Sequence, residues 1–220
     1  MIEKSISEEN GLKLIKNEDI NILSIGVSTC GTAEIRMLDN NKNRKVIATT
    51  IDKEGLEITK KIIDDLNLSN SIELKYEDIS KKMPYEDESF DFIYARLVLH
   101  YLNDNELDIA LKELNRVLKT NKLMYVVVRS LKGWEAALEG TTYDSEIGMT
   151  RYPKYRTLGT DNVEYFCRRL HSTSSISDSL TNNNFKIEKI LEYKEQLFGD
   201  YLRKDKMPFE DVLIEITVSK

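Results

Sequence analysis

Ile22-Leu23-Ser24-Ile25-Gly26-Val27-Ser28-Thr29-Cys30-Gly31 is a short apolar run followed by a loop of small side chains. Beyond it, Ala33, Met37 and Leu38 mark one face of a short helix. Val46-Ile47-Ala48-Thr49-Thr50-Ile51 is then a β-branched run that stops at Asp52. Strand, tight loop, helix and strand make half of a doubly wound nucleotide-binding sheet. Glycine after the first strand lets backbone approach a ligand closely. An acid at the tip of the second strand can accept hydrogen bonds from both ribose hydroxyls. Asp52 lies 26 residues after Gly26, close to the ~20 expected between such a turn and its acid. A full glycine loop would offer three glycines at alternate positions. Those positions hold Gly26, Ser28 and Cys30, with Gly31 one place late. A dinucleotide cofactor is therefore not supported, and an ordinary strand-to-helix turn stays open as the alternative.

The rest of the chain keeps the same rhythm. Ser7 to Lys16 reads as a short amphipathic helix with Ser7 as N-cap and Leu12 and Ile15 facing inward. Leu56 to Leu68 is helical, with Ile58, Ile62, Ile63 and Leu66 near a 3.6-residue spacing. Ile72 to Tyr76 alternates as a third strand, ending at Glu77-Asp78-Ile79. Phe92-Ile93-Tyr94-Ala95 is a buried fourth strand, followed by Arg96 and Leu97 to Leu102. Asn103 or Asp104 caps a helix whose inner face holds Leu107, Leu111, Leu114, Val117 and Leu118. Leu123 to Val128 is apolar enough to be buried on both faces. Ser174 to Asn182 is a further helix; Phe185–Ile190 and Asp211–Val218 are the last strands. Such alternation predicts an α/β fold: a Rossmann-like doubly wound sheet of seven strands, mostly parallel.

Bulk properties narrow the function. With 220 residues, the chain is expected to be a single domain, 1–220, that buries a core without staples. Residues 131–173 break the rhythm and read as a substrate-side insertion, or lid. Cys30 and Cys167 are too few for a disulfide framework and suit a reducing compartment. No apolar h-region follows Met1, and no apolar run approaches the ~18 residues of a membrane span, so a cytoplasmic location and no membrane partner are expected. Net charge is −6, from 38 acids and 32 bases, which argues against broad nucleic-acid binding. No His/Cys/Asp cluster has metal-ligand spacing, and no nucleophile elbow is present. Oligomeric state is unreadable.

Taken jointly, three blocks resemble the class I S-adenosylmethionine-dependent methyltransferases, in the compact branch acting mostly on small molecules. The first is the turn and acid above. The second is Met83-Pro84-Tyr85-Glu86-Asp87-Glu88-Ser89-Phe90-Asp91-Phe92-Ile93-Tyr94 with Leu97-Val98-Leu99-His100-Tyr101-Leu102. The third is the helix, turn and fifth strand from Leu111 to Val128. The resemblance covers about Asn21 to Arg129, and the family's antiparallel last hairpin suits the two final strands. Three departures stand out: Ser24 replaces a first-strand acid, Ser28 and Cys30 replace glycines, and Thr120-Asn121-Lys122 replaces a Pro-Gly-Gly turn.

What the resemblance implies is S-adenosylmethionine as cofactor, S-adenosylhomocysteine as product, and a small-molecule acceptor at an O, N or C atom. Gly26, Ser28 and Gly31 would border the cofactor. Asp52 would hold the ribose hydroxyls, against the plainer role of capping the next helix. Asp78 would accept from the adenine amino group with Ile79 against the ring, against the plainer role of a turn acid. Lys53 would flank the adenine or stay solvated. Arg96 would meet the methionine end or an anionic substrate. His100 is a base or a packed histidine. Arg151 to His171 carries five bases against two acids. Arg151 and Arg156, with Trp134 and Tyr152, are therefore the expected contacts of an acceptor with an apolar or ring body and an anionic group. Two rival readings are a methyltransferase-like scaffold that has lost cofactor affinity, and an RNA or protein methyltransferase.

Overall fold

The computed structural model describes residues 5–28, 30–154, 157–197 and 210–220. Seven strands form one sheet: β1 (Asn21–Ile25), β2 (Lys45–Thr50), β3 (Ile72–Tyr76), β4 (Phe90–Arg96), β5 (Leu118–Arg129), β9 (Lys186–Gln196) and β10 (Glu210–Ser219). Their order is β3-β2-β1-β4-β5-β10-β9. The first five pair in parallel, whereas β10 pairs antiparallel with both β5 and β9. The expected doubly wound sheet with its antiparallel final hairpin is therefore the fold.

Alternation along the central strands builds two cores, one on each face of the sheet. Neighbouring side chains of a strand point to opposite faces. Ile93 and Ala95 of β4 join one cluster with Leu23, Val126 and Ile216. Phe92 and Tyr94 join the other with Ile22, Val127 and Leu213. The first cluster also receives Leu107, Leu111, Leu114 and Val117 of α4 (Asp104–Val117). Asn103 starts that helix with a capping box, its side chain taking the Glu106 N–H while Glu106 takes its own.

Several local expectations shift. Helix α1 spans Ile6–Lys13 and is capped by Ser5, not Ser7. Ser7 lies buried inside the helix, where its N–H donates to Glu195 at 3.0 Å and its carbonyl accepts from Tyr125. Its hydroxyl accepts from Arg96 Nε at 2.7 Å and, at the second helical position, is not placed to cap the helix end. Thr120-Asn121-Lys122 is no separate turn, because β5 runs through it from Leu118. Asn121 takes a φ of 63° there, a backbone state asparagine tolerates.

Residues 131–173 hold structure of their own. A 3-10 turn (Trp134–Ala137) precedes a three-stranded antiparallel sheet of β6 (Thr142–Asp144), β7 (Met149–Pro153) and β8 (Tyr165–Arg168). Helices α2 (Thr32–Met37), α3 (Lys53–Asp65) and α5 (Thr173–Asn182) complete the described elements with a 3-10 turn at Leu99–Tyr101.

Candidate functional site

In an open α/β sheet, ligands sit beyond the carboxyl ends of the strands. The ends of β1, β2, β3 and β4 here surround a cavity of about 370 Å³. Its floor is the Gly26-Val27 turn, whose two N–H groups both donate to the Thr49 carbonyl, at 2.8 and 3.0 Å. Gly26 has a φ of +80°, and a Cβ there would lie 2.9 Å from Cβ of Val98 on the facing wall. Both conformation and space therefore require glycine. Behind the turn, Thr59 of α3 donates to the Ser28 carbonyl at 2.8 Å. Gly31, at φ 57°, starts α2.

The second wall is the tip of β2. Asp52 lines the cavity and also caps α3, accepting the Gly55 N–H at 3.0 Å. Capping and cavity lining are compatible, since a carboxylate has two oxygens. Beside it, Ile51 leaves 64% of its surface exposed at the cavity, an apolar platform at a rim. The third wall is Glu77-Asp78-Ile79. Asp78 accepts from the Ser80 N–H and hydroxyl and pairs with Lys81 at 3.0 Å. The Ser80 hydroxyl, followed by Lys81, holds its carboxyl below the ordinary range. Glu77 takes the Tyr85 hydroxyl on one oxygen, and its other oxygen is buried with no hydrogen-bond partner. Thr49 Oγ1 is buried in the same condition. The fourth wall is Leu97, Val98, Tyr101 and Leu102. Leu97 adopts a φ of 56°, an uncommon state for a leucine, and of the kind that recurs at binding sites.

The structure thus brings Gly26, Asp52, Asp78 and Ile79 to one cavity. Ser28 and Gly31 stand next to the turn without lining it. Lys53 lies over the Tyr76 ring at 5.1 Å. Arg96 leaves the strand end toward α1, donating to Ser7 and Ser5 hydroxyls at 2.7 and 2.5 Å and lying 3.6 Å from Glu195. That engagement directs it away from the cavity. Sequence reading missed Thr49, Ile51, Glu77, Val98 and Tyr101. Their only signal is adjacency to the strand tips that it did identify.

Glu34 is a second omission. It is buried on α2 and accepts the Ser24 hydroxyl at 2.6 Å. Burial pushes its carboxyl up, partly offset by that hydrogen bond. A carboxyl group therefore stands against β1 even though the strand itself carries serine.

His100 is 1% exposed. Burial, reinforced by Arg129, Arg168 and His171, pushes it well below the ordinary histidine range. This is the environment of a packed neutral ring. Tyr152 is buried on β7, edge-on to Trp134 at 6.4 Å between centroids. Arg151 points to the opposite side, exposed and stacked 3.6 Å over Tyr165. Arg156 lies outside the described residues. Among the described residues no group of three or more metal-type side chains converges, and no helix is long and apolar enough to cross a membrane.

Residues 23–126 match the model of a methyltransferase domain. A sterol 4-C-methyltransferase of Caenorhabditis elegans is 32% identical over 168 residues, covering 74% of this chain and 44% of that protein. A ubiquinone biosynthesis O-methyltransferase of Pelagibacter ubique is 24% identical over 180 residues, covering 81% and 65%. The chain thus spans between about half and two thirds of the curated relatives it matches. Among solved structures, an S-adenosylmethionine-dependent methyltransferase from Methanosarcina mazei superposes with a TM-score of 0.68 at 19% identity, over 94% of this chain and 95% of its own. At that identity the likeness concerns the fold.

Proposed function

Because the chain belongs to the class I S-adenosylmethionine-dependent methyltransferases, we propose that it moves a methyl group to an O, N or C atom of a small molecule. The observation that carries this reading is the joint position of the Gly26 turn, Asp52 and Asp78 around one cavity. Bound S-adenosylmethionine supplies a methyl group already activated on a sulfonium. The residues present suit its nucleoside. Asp52 faces where ribose hydroxyls would donate, and Ile51, Ile79 and Leu102 offer apolar surface for a flat ring. Asp78, kept ionised by Ser80 and Lys81, is an acceptor for an amino group.

What remains for the protein is alignment and exclusion of water. The nucleophile must stand in line with the methyl and loses its proton as the bond forms. No strong base is demanded for acceptors that ionise readily, which fits a His100 ring buried and held neutral. The acceptor is expected on the side of Tyr101, where the β6–β8 sheet adjoins the cavity wall.

Calorimetric titration with S-adenosylhomocysteine tests the reading. Saturable binding is expected, with affinity lost when Asp52 and Asp78 are both replaced by alanine. Folded protein that shows no heat at millimolar ligand would refute methyl transfer. A scaffold on the same fold would then be favoured, a reading motivated by Ser24, Ser28 and Cys30 together.

A further inference from the structure

The bases of residues 131–173 are not equivalent. Lys154 pairs with Glu164, Arg169 with Asp104, and Arg151 lies exposed on a tyrosine ring. Arg129, just before this segment, takes both buried carboxylates nearby, Glu135 and Asp211, the latter at 2.7 Å. Arg168 differs from all of them. It is 9% exposed and makes no ion pair among the described residues. Asp211 lies near enough to feel its charge but is spent on Arg129.

Arg168 is instead enclosed by rings. Its guanidinium carbon lies 4.6 Å from the Phe166 centroid, 5.0 Å from Tyr101 and 5.9 Å from Tyr152. Nη1 donates to the Tyr152 hydroxyl at 2.5 Å, and Nη2 to the Tyr101 hydroxyl at a long 3.2 Å. Nε is buried with no partner. One edge of the planar fork, Nε with Nη2, is therefore almost unused. A buried cation without a counter-charge is costly, and that edge is the shape a carboxylate fills with two parallel hydrogen bonds.

The same edge is covered by one half-exposed residue. Tyr101 lines the cavity and is 52% exposed. It is carried on the 3-10 turn that β8 grips, with the Arg169 N–H donating to the His100 carbonyl at 2.8 Å. A ligand carboxylate entering beside Tyr101 need only replace one long hydrogen bond, from Nη2 to a neutral hydroxyl, to reach the fork.

We propose that Arg168, gated by Tyr101, reads a carboxylate on a flat, ring-bearing acceptor at the Tyr101 end of the cavity. This rests on the methyltransferase reading and adds the acceptor's chemical class. Arg168 is a specificity residue; Tyr152, through its hydrogen bond to Nη1, fixes the plane of the fork.

The test uses the full chain saturated with S-adenosylhomocysteine and titrated by ligand-observed NMR with benzoate and with benzamide, near-isosteric probes differing in charge. Benzoate should bind about tenfold tighter or more, the scale of hydrogen bonds to a charged group. Arg168→Met should erase that preference with S-adenosylhomocysteine affinity changed less than about twofold. Should Arg168→Met fail to fold, Arg168→Lys, which keeps the charge and loses the fork, should lose most of the preference. Equal binding of the two probes, no benzoate binding, or a preference that survives substitution overturns the proposal. If wild-type protein fails to take up S-adenosylhomocysteine, the methyltransferase reading falls too, and that first titration separates the two failures.

Discussion

Asp52 has two jobs in this structure, and one substitution separates them. Its Oδ1 caps α3 at Gly55, while the residue lines the cavity. Asparagine caps a helix about as well as aspartate, whereas alanine forfeits ~1 kcal/mol. Asp52→Asn therefore keeps the cap and removes the charge. If the carboxylate accepts ribose hydroxyls, the loss is that of hydrogen bonds to a charged group, ~1.5–3 kcal/mol. That is about 10- to 150-fold in Kd for S-adenosylhomocysteine. Asp52→Ala should weaken binding at least as much and also lower the melting temperature, by about 2–4 °C per kcal/mol for a chain of this size. Calorimetry gives the affinity and thermal unfolding gives the cap. If Asp52→Asn binds like wild type and Asp52→Ala loses only stability, the acid is a helix cap alone.

Other perturbations follow from the same geometry. Gly26→Ala forces a left-handed backbone on alanine and drives its Cβ against Val98; a loss of ~1–2 kcal/mol is expected in urea unfolding, partly restored by adding Val98→Ala, and an unchanged midpoint would contradict the steric argument. Glu34 has its carboxyl pushed up by burial, so the folded chain holds a proton that the unfolded chain releases first. Stability then falls as pH rises from about 4.5 through the higher folded value; Glu34→Gln should flatten that descent, and an unaltered pH profile would count against it. His171 shifts the opposite way, lowered from 6.5 to about 3 by burial and Arg169. Here the unfolded chain binds the extra proton, so stability is lost as pH falls below 6.5 toward 3. His171→Phe should shrink that acid slope in melting curves, and an equally steep slope would place its cause elsewhere.

The sheet was legible because apolar alternation and helical spacing agree with the fold from Ile22 to Val128. The strand tips were legible too, since Asp52 and Asp78 end β-rich runs. What escaped depends on distant partners. Nothing local marks Glu34 as buried, because its role comes from the rotation of α2 against Ser24. Arg96 follows a strand and looks free until α1 folds over it with Ser5 and Ser7. The segment after β5 showed aromatics and bases but not which faced inward. Pairing of β7 with β8 sends Arg151 outward and puts Tyr152 and Arg168 inside, an alternation hidden by short, half-exposed strands. Ser7 was misread as a cap because Ser5 and Ser7 stand two residues apart ahead of the same apolar positions, and an N-cap signature does not choose between them.

The order of strands at one edge of the sheet also constrains the timing of assembly. Among the described residues β9 pairs with the sheet only through β10, which lies between it and β5. On the ribosome, β9 is made first and has no docking edge until β10 has emerged, while β1 to β4 already have all their neighbours. Glu195 of β9 and Glu215 of β10 in turn hold Ser7 and Asn10 of α1. The earliest helix of the chain therefore waits for one of the latest strands. Nascent chains released before Glu210 would keep the nucleotide-side half while leaving β5 with a bare edge, the form most exposed to mispairing with another chain.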